Sequence, residues 1–252
     1  MSALEGKVIL VTGSSRGIGA AIAADFAEHG AAVAVHGRDC TALAAVTARI
    51  EQAGGRALPV TAEVTKLDEI EAMRRQIEAE LGPLDVLVAN AGGNAVRPGP
   101  VEEISAEDWR ATVDGNLTAT FLTIKSFLPG MKNRKAGSII TVSSAAARRP
   151  TAYSPVPYSA AKAGIQILTQ DLAAQAGPYG IRVNCLAPET ILTERNRQQI
   201  PQAQQKALAD THPIRRLGTP ADVASAARYL ASDESAWISG VILDVAGGSV
   251  LA

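Results

Sequence analysis

The sequence predicts an α/β fold, in which a doubly wound sheet of seven parallel strands is flanked by helices on both faces. Short apolar segments alternate with longer segments of helical periodicity, a pattern typical of parallel strands joined by helical crossovers. Apolar residues make up 47% of the 252 residues, which is enough to bury both faces of such a sheet. We expect a single domain over residues 1–252, because no repeat or low-complexity segment divides the chain.

The predicted strands are the apolar segments 8–12, 32–36, 57–61, 86–90, 138–142, 182–186 and 241–245. The main predicted helices are 20–28, 41–52, 67–80, 106–132, 158–176 and 220–230, with Gly54, Gly82 and Gly137 as stops. In an open parallel sheet, ligands bind beyond the carboxyl ends of the strands. Polar or turn residues at those ends therefore predict a site along one edge, and they are Thr12, Asn90, Ser144 and Pro188.

Charge and cysteine content exclude several classes of function. The formal net charge is −1 without a long run of one sign, so we expect neither a nucleic-acid groove nor a membrane surface. No segment approaches the roughly 20 apolar residues of a membrane span, and we expect a cytoplasmic protein. Cys40 and Cys185 are expected to be reduced, and His29, His36 and His212 are too scattered to predict a metal site.

Tyr158 and Lys162 form the most informative pair of residues. Positions i and i+4 share a helix face, so the Lys162 ammonium is expected beside the Tyr158 phenol, where it lowers the phenol pKa. Such a phenol exchanges a proton with an alcohol or a carbonyl oxygen, and a serine hydroxyl from Ser143 or Ser144 would hold that oxygen. A tyrosine and a lysine at this spacing, without the other motifs, would instead indicate a solvated helix face.

A glycine-rich turn, residues 13–19, joins the first strand to the first helix. Glycines allow positive φ and close approach of a pyrophosphate to the backbone, and the helix N-terminus offers free N–H groups. A glycine cluster alone is weak evidence for a binding site. Between a strand and a helix, it predicts a dinucleotide site.

Several motifs occur together and in order: TGSSRGIG at residues 12–19, Asn90-Ala91-Gly92, Asn116, Ser144, the Tyr158/Lys162 pair, and residues 188–193. Together they resemble the short-chain dehydrogenases/reductases, over residues 4–248. The resemblance implies a Rossmann-like fold and hydride transfer between a nicotinamide cofactor and a ketone or secondary alcohol. It also implies a homotetramer, with residues 106–132 and 158–176 at one interface and residues 250–252 near another.

By this resemblance, Tyr158 is the general acid of reduction and Lys162 lowers its pKa and holds the nicotinamide ribose. Ser144 orients the carbonyl, and Asn116 supports a proton-relay water. Ser143 competes with Ser144, since a shift of one residue exchanges them.

The residues expected at the cofactor are Gly13, Ser15, Arg16, Gly17, Ile18, Gly19, Arg38, Glu63, Val64, Asn90, Ala91, Gly92, Tyr158, Lys162, Pro188 and Thr193. Proteins of this kind that prefer NAD place an acidic residue at the end of the second strand, to bond the ribose hydroxyl. Gly37 stands there, followed by Arg38, and Arg16 lies in the glycine turn. Guanidinium groups suit a 2′-phosphate, so we expect NADP(H) over NAD(H). The alternative is that Arg38 and Asp39 form a solvated surface pair and that Arg16 packs across the turn.

Three residues depart from the family pattern. Glu189 replaces the usual glycine after Pro188, which places a side chain and a negative charge where the chain passes the nicotinamide. Ala89 replaces an asparagine, and Ala246 replaces an aspartate near the end of the last strand. The changes at Ala89 and Ala246 remove no catalytic group, whereas Glu189 bears on the geometry of the loop beside the nicotinamide.

For the substrate, the pattern most resembles 3-oxoacyl-[acyl-carrier-protein] reductases and, almost equally, sugar and polyol dehydrogenases. Carrier-protein reductases usually have an arginine where this chain has Tyr179, whereas a second basic position is kept as Lys135, with Arg134 beside it. The docking surface for a carrier protein is thus at best half present. A non-catalytic NADP(H) sensor is a third reading, but sensors tend to lose the tyrosine or the lysine. Among the enzyme readings, we favour a 3-oxoacyl thioester reductase over a sugar or polyol dehydrogenase.

The pocket walls are less specified. Arg148, Arg149 and Tyr153 are expected on one wall, where the arginines either bind an anionic substrate group or face solvent. Gly93, Asn94 and Arg97 are expected on the other, and residues 189–215 are expected to form a mobile lid.

Overall fold

A computed structural model of the protein describes residues 3–94, 96, 98–150 and 155–250. Within them lies one sheet of seven parallel strands in the order β3-β2-β1-β4-β5-β6-β7. The strands are β1 Val8–Val11, β2 Ala32–His36, β3 Arg56–Val60, β4 Val86–Ala89, β5 Gly137–Val142, β6 Ile181–Pro188 and β7 Ile242–Val245. The predicted seven-stranded parallel sheet is confirmed.

Helices cover both faces of the sheet. They are α1 Gly17–Glu28, α2 Cys40–Gln52, α3 Leu67–Glu80, α4 Ala106–Val113, α5 Ala119–Arg134, α6 Val156–Ala176, α7 Glu194–Gln199, α8 Gln202–Thr211 and α9 Pro220–Ala231. One apolar core joins the sheet to α1, α2 and α9, and the other joins it to α3, α5 and α6. Successive β1 residues alternate between these cores, as the two-residue period of a strand requires: Ile9 faces the first and Leu10 the second.

The strand order places the site. The chain winds outward from β1 through β2 to β3, then crosses back so that β4 pairs with the other side of β1. This reversal opens a crevice beyond the carboxyl ends of β1 and β4, the place where ligands bind in open parallel sheets. Thr12 and Asn90 follow those two strands directly.

The helix predicted over residues 106–132 is not continuous. Residues Asp114–Thr118 form a π-helical turn between α4 and α5. The Asn116 side chain donates to the backbone oxygen of Thr112 at 2.8 Å, and so takes an acceptor that a regular α-helix would offer to a backbone N–H. The turn is therefore widened where a predicted site residue lies.

The segment predicted as a lid, residues 189–215, contains the two short helices α7 and α8. Its predicted mobility stays a prediction. Arg97, Tyr153, Leu251 and Ala252 lie outside the described residues. Among the described helices, none combines the length and the apolar character that a membrane crossing needs.

Candidate functional site

A cavity of about 1150 Å³ opens at the carboxyl edge of the sheet. It brings together most of the predicted site residues: Gly13, Ser15, Arg16, Gly17, Ile18, Gly19, Asn90, Gly92, Ser144, Tyr158, Lys162, Pro188 and Thr193. Five others are not among the residues that line it: Arg38, Glu63, Val64, Ala91 and Asn116. One continuous space therefore reaches from the glycine turn to the Tyr158 phenol.

The glycine turn leaves no space for side chains where it meets the crevice. Gly13 and Gly17 have φ values of +64° and +59°, in the left-handed region that favours glycine. A β-carbon on Gly19 would lie 2.4 Å from the backbone oxygen of Gly13. The backbone N–H groups at the start of α1 thus remain open to the cavity, and this cradle fits the pyrophosphate of a dinucleotide.

His36, at the end of β2, anchors this turn, a role that its motif context does not predict. Its Nδ1 accepts from the backbone N–H of Gly13 at 2.9 Å, so Nε2 carries the proton donated to the backbone oxygen of Ala62 at 3.0 Å. Burial lowers the pKa of the imidazole and keeps it neutral. The signal that could have revealed this role is the position of His36, a polar residue at the end of a predicted strand.

Thr12 and Asn90 join the ends of β1 and β4. The Thr12 hydroxyl accepts from the backbone N–H groups of Asn90 and Ala91 at 3.0 and 2.9 Å. The Asn90 side chain donates to the backbone oxygens of Thr12 and Gly13 at 2.9 and 3.2 Å. Asn90 therefore ties the ends of β1 and β4 together where it lines the cavity.

Tyr158 and Lys162 lie one turn apart near the start of α6. The Lys162 Nζ is 5.5 Å from the centroid of the Tyr158 ring and donates to the backbone oxygen of Val142, the last residue of β5, at 2.8 Å. Lys162 is buried, with 4% of its surface exposed. A charged side chain this deep needs partners, and the β5 carbonyl is one of them.

The structure separates the two candidate serines. The Ser143 hydroxyl donates to the backbone oxygen of Lys162 at 2.8 Å and accepts from the Gln166 side chain at 3.1 Å, so it supports α6. The Ser144 side chain instead forms a hydrogen bond with Tyr158. Ser144 is thus the serine placed beside the phenol.

Burial dominates the pKa values of the pair. It raises the pKa of the Tyr158 phenol, while the Ser144 hydrogen bond acts in the opposite direction. It also lowers the pKa of Lys162 from 10.5 to about 8. The sequence predicts a lowered pKa for the Tyr158 phenol, whereas the structure raises it. The phenol is withdrawn from water, and the Lys162 ammonium points at the Val142 carbonyl. At neutral pH the phenol holds its proton and Lys162 is mostly charged.

Asn116 lies behind the cavity wall rather than in it. Its Nδ2 donates to the backbone oxygen of Gly93 at 2.9 Å, and its Oδ1 accepts from the Gly93 N–H at 3.1 Å. A β-carbon on Gly92 would lie 2.5 Å from that Oδ1. The side chain therefore holds the loop after β4 in place, and its expected role beside a proton-relay water stays a prediction.

The end of β2 has no space for an acidic side chain. A β-carbon on Gly37 would lie 2.7 Å from both Cβ and Oγ of Ser15. The carboxylate that a ribose hydroxyl would need at this place is therefore sterically excluded.

Two guanidinium groups flank that position, each paired with a carboxylate. Arg38 Nη1 is 2.7 Å from Glu63 Oε2, and Arg16 Nη2 is 2.7 Å from Asp39 Oδ2. The alternative pairing of Arg38 with Asp39 is not the one formed. Both arginine side chains are mostly exposed, so N–H groups remain for an anionic ligand.

Thr193, in the segment predicted as a lid, approaches the glycine turn. A β-carbon on Gly17 would lie 3.4 Å from Thr193 Cγ2, and the Thr193 hydroxyl caps α7 by accepting from the backbone N–H of Asn196 at 3.2 Å. Glu189, the departure after Pro188, lines the cavity and pairs with His212 at 2.5 Å. The sequence offered no signal for this long-range pair.

On the wall after Ser144, Arg148 forms an ion pair with Asp244 of β7. Its guanidinium is therefore bound to another side chain of the protein. This pairing is neither the substrate contact nor the solvent exposure that the sequence left open. Arg149 is exposed. Gly93 lines the cavity, as expected for the opposite wall.

Comparisons with known proteins match this chain over nearly its whole length. A family model described as Enoyl-(Acyl carrier protein) reductase matches residues 13–249. Glucose 1-dehydrogenase 2 of Bacillus subtilis is 39% identical over 98% of this chain and 96% of its own length. The 3-oxoacyl-[acyl-carrier-protein] reductase FabG of Vibrio cholerae is 38% identical over 97% of this chain and 98% of its own.

The structural neighbours have the same architecture. A solved 7α-hydroxysteroid dehydrogenase, complexed with NADH and 7-oxo glycochenodeoxycholic acid, matches with a TM-score of 0.92 at 35% identity and covers 99% of this chain and 96% of its own. The names of these three relatives point to a sugar, a carrier-bound acyl group and a steroid. Similarity of sequence and fold thus extends over nearly the whole chain, while the substrate classes differ.

Proposed function

Because this chain belongs to the short-chain dehydrogenase/reductase family, we propose that it is an NADP(H)-dependent oxidoreductase that reduces a 3-oxoacyl thioester at its ketone. The observation that carries the proposal is the cavity in which the Tyr158 phenol, the Ser144 hydroxyl and the buried Lys162 face the same space as the glycine turn. The family places the activity on a CH–OH group, whereas the cofactor preference and the substrate are our inference.

The glycine turn would hold the pyrophosphate, and Lys162 the nicotinamide ribose. The bound nicotinamide supplies or accepts the hydride. Tyr158 donates its proton to the carbonyl oxygen as negative charge develops there, and Ser144 hydrogen-bonds the same oxygen. The Lys162 ammonium stabilises the phenolate that remains. In the oxidative direction Tyr158 takes the proton from the alcohol, so the same residues serve both directions.

The preference for NADP(H) rests on the end of β2. Gly37 excludes an acidic side chain there, and Arg38 and Arg16 present exposed guanidinium groups that suit a phosphate. Binding of a 2′-phosphate would compete with Glu63 and Asp39 for these groups. The partner carboxylates therefore predict a moderate preference for NADP(H) rather than exclusion of NAD(H).

The thioester assignment rests on the surface around Tyr179. The Lys132 Nζ lies 4.7 Å from the centroid of the Tyr179 ring, so a cation stands beside the position where carrier-protein reductases have an arginine. A β-carbon on Gly180, next to Tyr179, would lie 2.7 Å from the backbone oxygen of Lys135, so the chain at Lys135 runs close to Tyr179. Arg134 does not add to this surface, because its guanidinium donates to the backbone oxygens of Gly130 and Leu84.

A sugar or polyol dehydrogenase is the second candidate, favoured by the 39% identity to a glucose dehydrogenase. A non-catalytic NADP(H) sensor is the alternative outside the enzymes. A sensor would not need the arrangement of Tyr158, Lys162 and Ser144.

The deciding experiment follows absorbance at 340 nm with NADPH, and then NADH, against 3-oxoacyl thioesters, sugar ketones, steroid ketones and simple diketones. We expect turnover of thioesters with NADPH preferred. Turnover confined to sugar ketones would replace the leading candidate with the second. Tight NADPH binding without oxidation of any substrate would favour the sensor.

We further propose that residues 1–252 act as one domain in a cytoplasmic homotetramer. Large apolar side chains are exposed on the helices expected at one interface: Trp109 on α4, Phe121 on α5 and Ile167 on α6. Trp237, which is fully exposed, adds apolar surface near the last strand.

A further inference from the structure

Glu189 and His212 are joined by a hydrogen bond that requires one proton between them. The Nδ1 of His212 lies 2.8 Å from the backbone oxygen of Leu208, and since a carbonyl only accepts, Nδ1 carries a proton. The Nε2 lies 2.5 Å from Glu189 Oε2. An ionised carboxylate and an unprotonated Nε2 are both acceptors, so the contact forms only when the pair holds an additional proton.

The pair lies between two cavities. Glu189 lines the large cavity that contains Tyr158, and it also lines a second cavity of about 260 Å³ that contains His212. The His212 side chain is 3% exposed and that of Glu189 is 23% exposed. Ala246, another departure from the family pattern, lines the second cavity as well. Position 246 itself thus carries no carboxylate, whereas Glu189 and Asp244 both line the same cavity.

The surrounding contacts tie both ends of the lid segment, residues 189–215, to the end of β7. The backbone N–H of Glu189 donates to the oxygen of Val245 at 3.3 Å, and that of Ile214 donates to the oxygen of Gly247 at 3.1 Å. A β-carbon on Gly247 would lie 3.4 Å from the His212 ring. The Glu189–His212 contact therefore closes the lid segment on itself.

The other charged groups around the second cavity have partners. Arg216 forms two hydrogen bonds of 2.7 Å with Asp222, and Asp244 is paired with Arg148. Among the described residues that line this cavity, His212 is therefore the group that balances the charge of Glu189.

We propose that His212 is a positioning residue, which by sharing a proton with Glu189 fastens the lid segment and holds the carboxylate away from the reacting end of the large cavity. Freed from His212, that carboxylate would lie beside the nicotinamide. It would attract the oxidised ring, which is cationic, and give no such advantage to the neutral reduced ring. This inference rests on the proposed function only in that a nicotinamide binds beside Tyr158.

The test compares dissociation constants of the oxidised and reduced cofactor, measured by calorimetry at pH 7 with whichever of NADP(H) and NAD(H) the wild type binds more tightly. For His212→Leu, we expect the ratio of the reduced to the oxidised dissociation constant to rise about fivefold. In the double variant that adds Glu189→Gln, the ratio should return to the wild-type value. His29→Leu, the same replacement outside both cavities, is the matched control and should leave the ratio unchanged.

A purely structural role would change both constants together. An unchanged ratio in His212→Leu, or a raised ratio that persists in the double variant, would overturn the proposal. The ratio needs no substrate, so absence of thioester turnover contradicts the proposed function alone. Absence of any nicotinamide binding by the wild type would overturn both.

A second measurement covers the lid if His212→Leu fails to fold. Trypsin cleavage after Arg195 and Arg197 of α7 reports how firmly the lid is held. Glu189→Leu removes the hydrogen bond and should be cleaved several-fold faster, whereas Glu189→Gln still donates to the imidazole and should be cleaved at the wild-type rate. Equal cleavage of the two variants would contradict the fastening role.

Discussion

The Nδ1 of His36 accepts a hydrogen bond of 2.9 Å from the backbone N–H of Gly13, and so the end of β2 holds the first glycine of the turn beside it. The ring is buried and completes its bonding at the Ala62 carbonyl. A histidine with no assigned catalytic role thereby fixes the backbone that the cofactor is expected to meet.

Replacing His36 with phenylalanine should lower the free energy of unfolding by about 1–3 kcal/mol, because the Gly13 N–H and the Ala62 carbonyl lose their partner. The cost should depend on pH. Burial places the folded-state pKa of His36 below 6.5, so the unfolded chain binds the proton first as pH falls.

The wild type should therefore lose part of its advantage over His36→Phe as pH falls below about 6.5. Chemical denaturation of both proteins at pH 7.5 and pH 5 measures this difference. A difference in stability that stays constant between the two pH values would contradict the burial of a neutral imidazole.

Replacing Gly19 with alanine should disrupt the cradle. The added β-carbon would lie 2.4 Å from the Gly13 oxygen and 2.6 Å from Asn90 Nδ2, so the turn must move. We expect a loss of about 1–3 kcal/mol in the free energy of unfolding and loss of measurable cofactor binding. Gly177→Ala is the matched control, since its β-carbon would meet no atom within 4 Å. Cofactor binding by Gly19→Ala at wild-type affinity would show that the cradle is not the binding site.

Replacing Arg38 with aspartate should weaken NADPH binding by about tenfold or more and NADH binding by about twofold or less, because only the phosphate loses its guanidinium partner. The new carboxylate also repels the phosphate. Fluorescence titration with each cofactor gives both constants, and Arg75→Asp on the exposed face of α3 is the control for the change in charge. Equal weakening of the two cofactors would exclude Arg38 as the phosphate-binding residue.

Replacing Ile167 with aspartate should reduce the assembly from a tetramer to a smaller species. This side chain is 56% exposed on α6 and belongs to the apolar surface that we expect two protomers to cover. Light scattering after size-exclusion chromatography measures the mass, and Ala79→Asp on α3 adds the same charge elsewhere. A monomeric mass for the wild type would contradict the tetramer itself.

Most strands and helices of the fold were predictable from the periodicity of apolar residues. The predicted segments 32–36 and 67–80 coincide with β2 and α3, since apolar spacing and flanking turns suffice to mark them. The helix over 106–132 was wrong at its centre, where Asn116 takes the Thr112 carbonyl and a π-helical turn forms. The same side chain also bonds to Gly93 in the loop after β4, a contact that local sequence spacing does not reveal.

In the site, too, local motifs were predictable from the sequence and long-range contacts were not. Motif spacing predicted that Tyr158, Lys162 and the glycine turn lie together, and all of them line one cavity. The catalytic role of Ser144 rather than Ser143 stays a prediction. The bonds from His36 to Gly13 and from Glu189 to His212 join residues 23 positions apart. Such pairs depend on how strand ends meet in space, and a single sequence has no period that reveals them.

In the proposed reaction Tyr158 exchanges the proton with the substrate oxygen, and Tyr158→Phe removes that proton donor. This variant keeps the ring and removes only the hydroxyl, so cofactor affinity by fluorescence titration should stay within about twofold of the wild type. Turnover of the best substrate at 340 nm should fall by about 10³-fold or more, the scale expected for loss of a general acid. Turnover within about tenfold of the wild type would contradict the assignment.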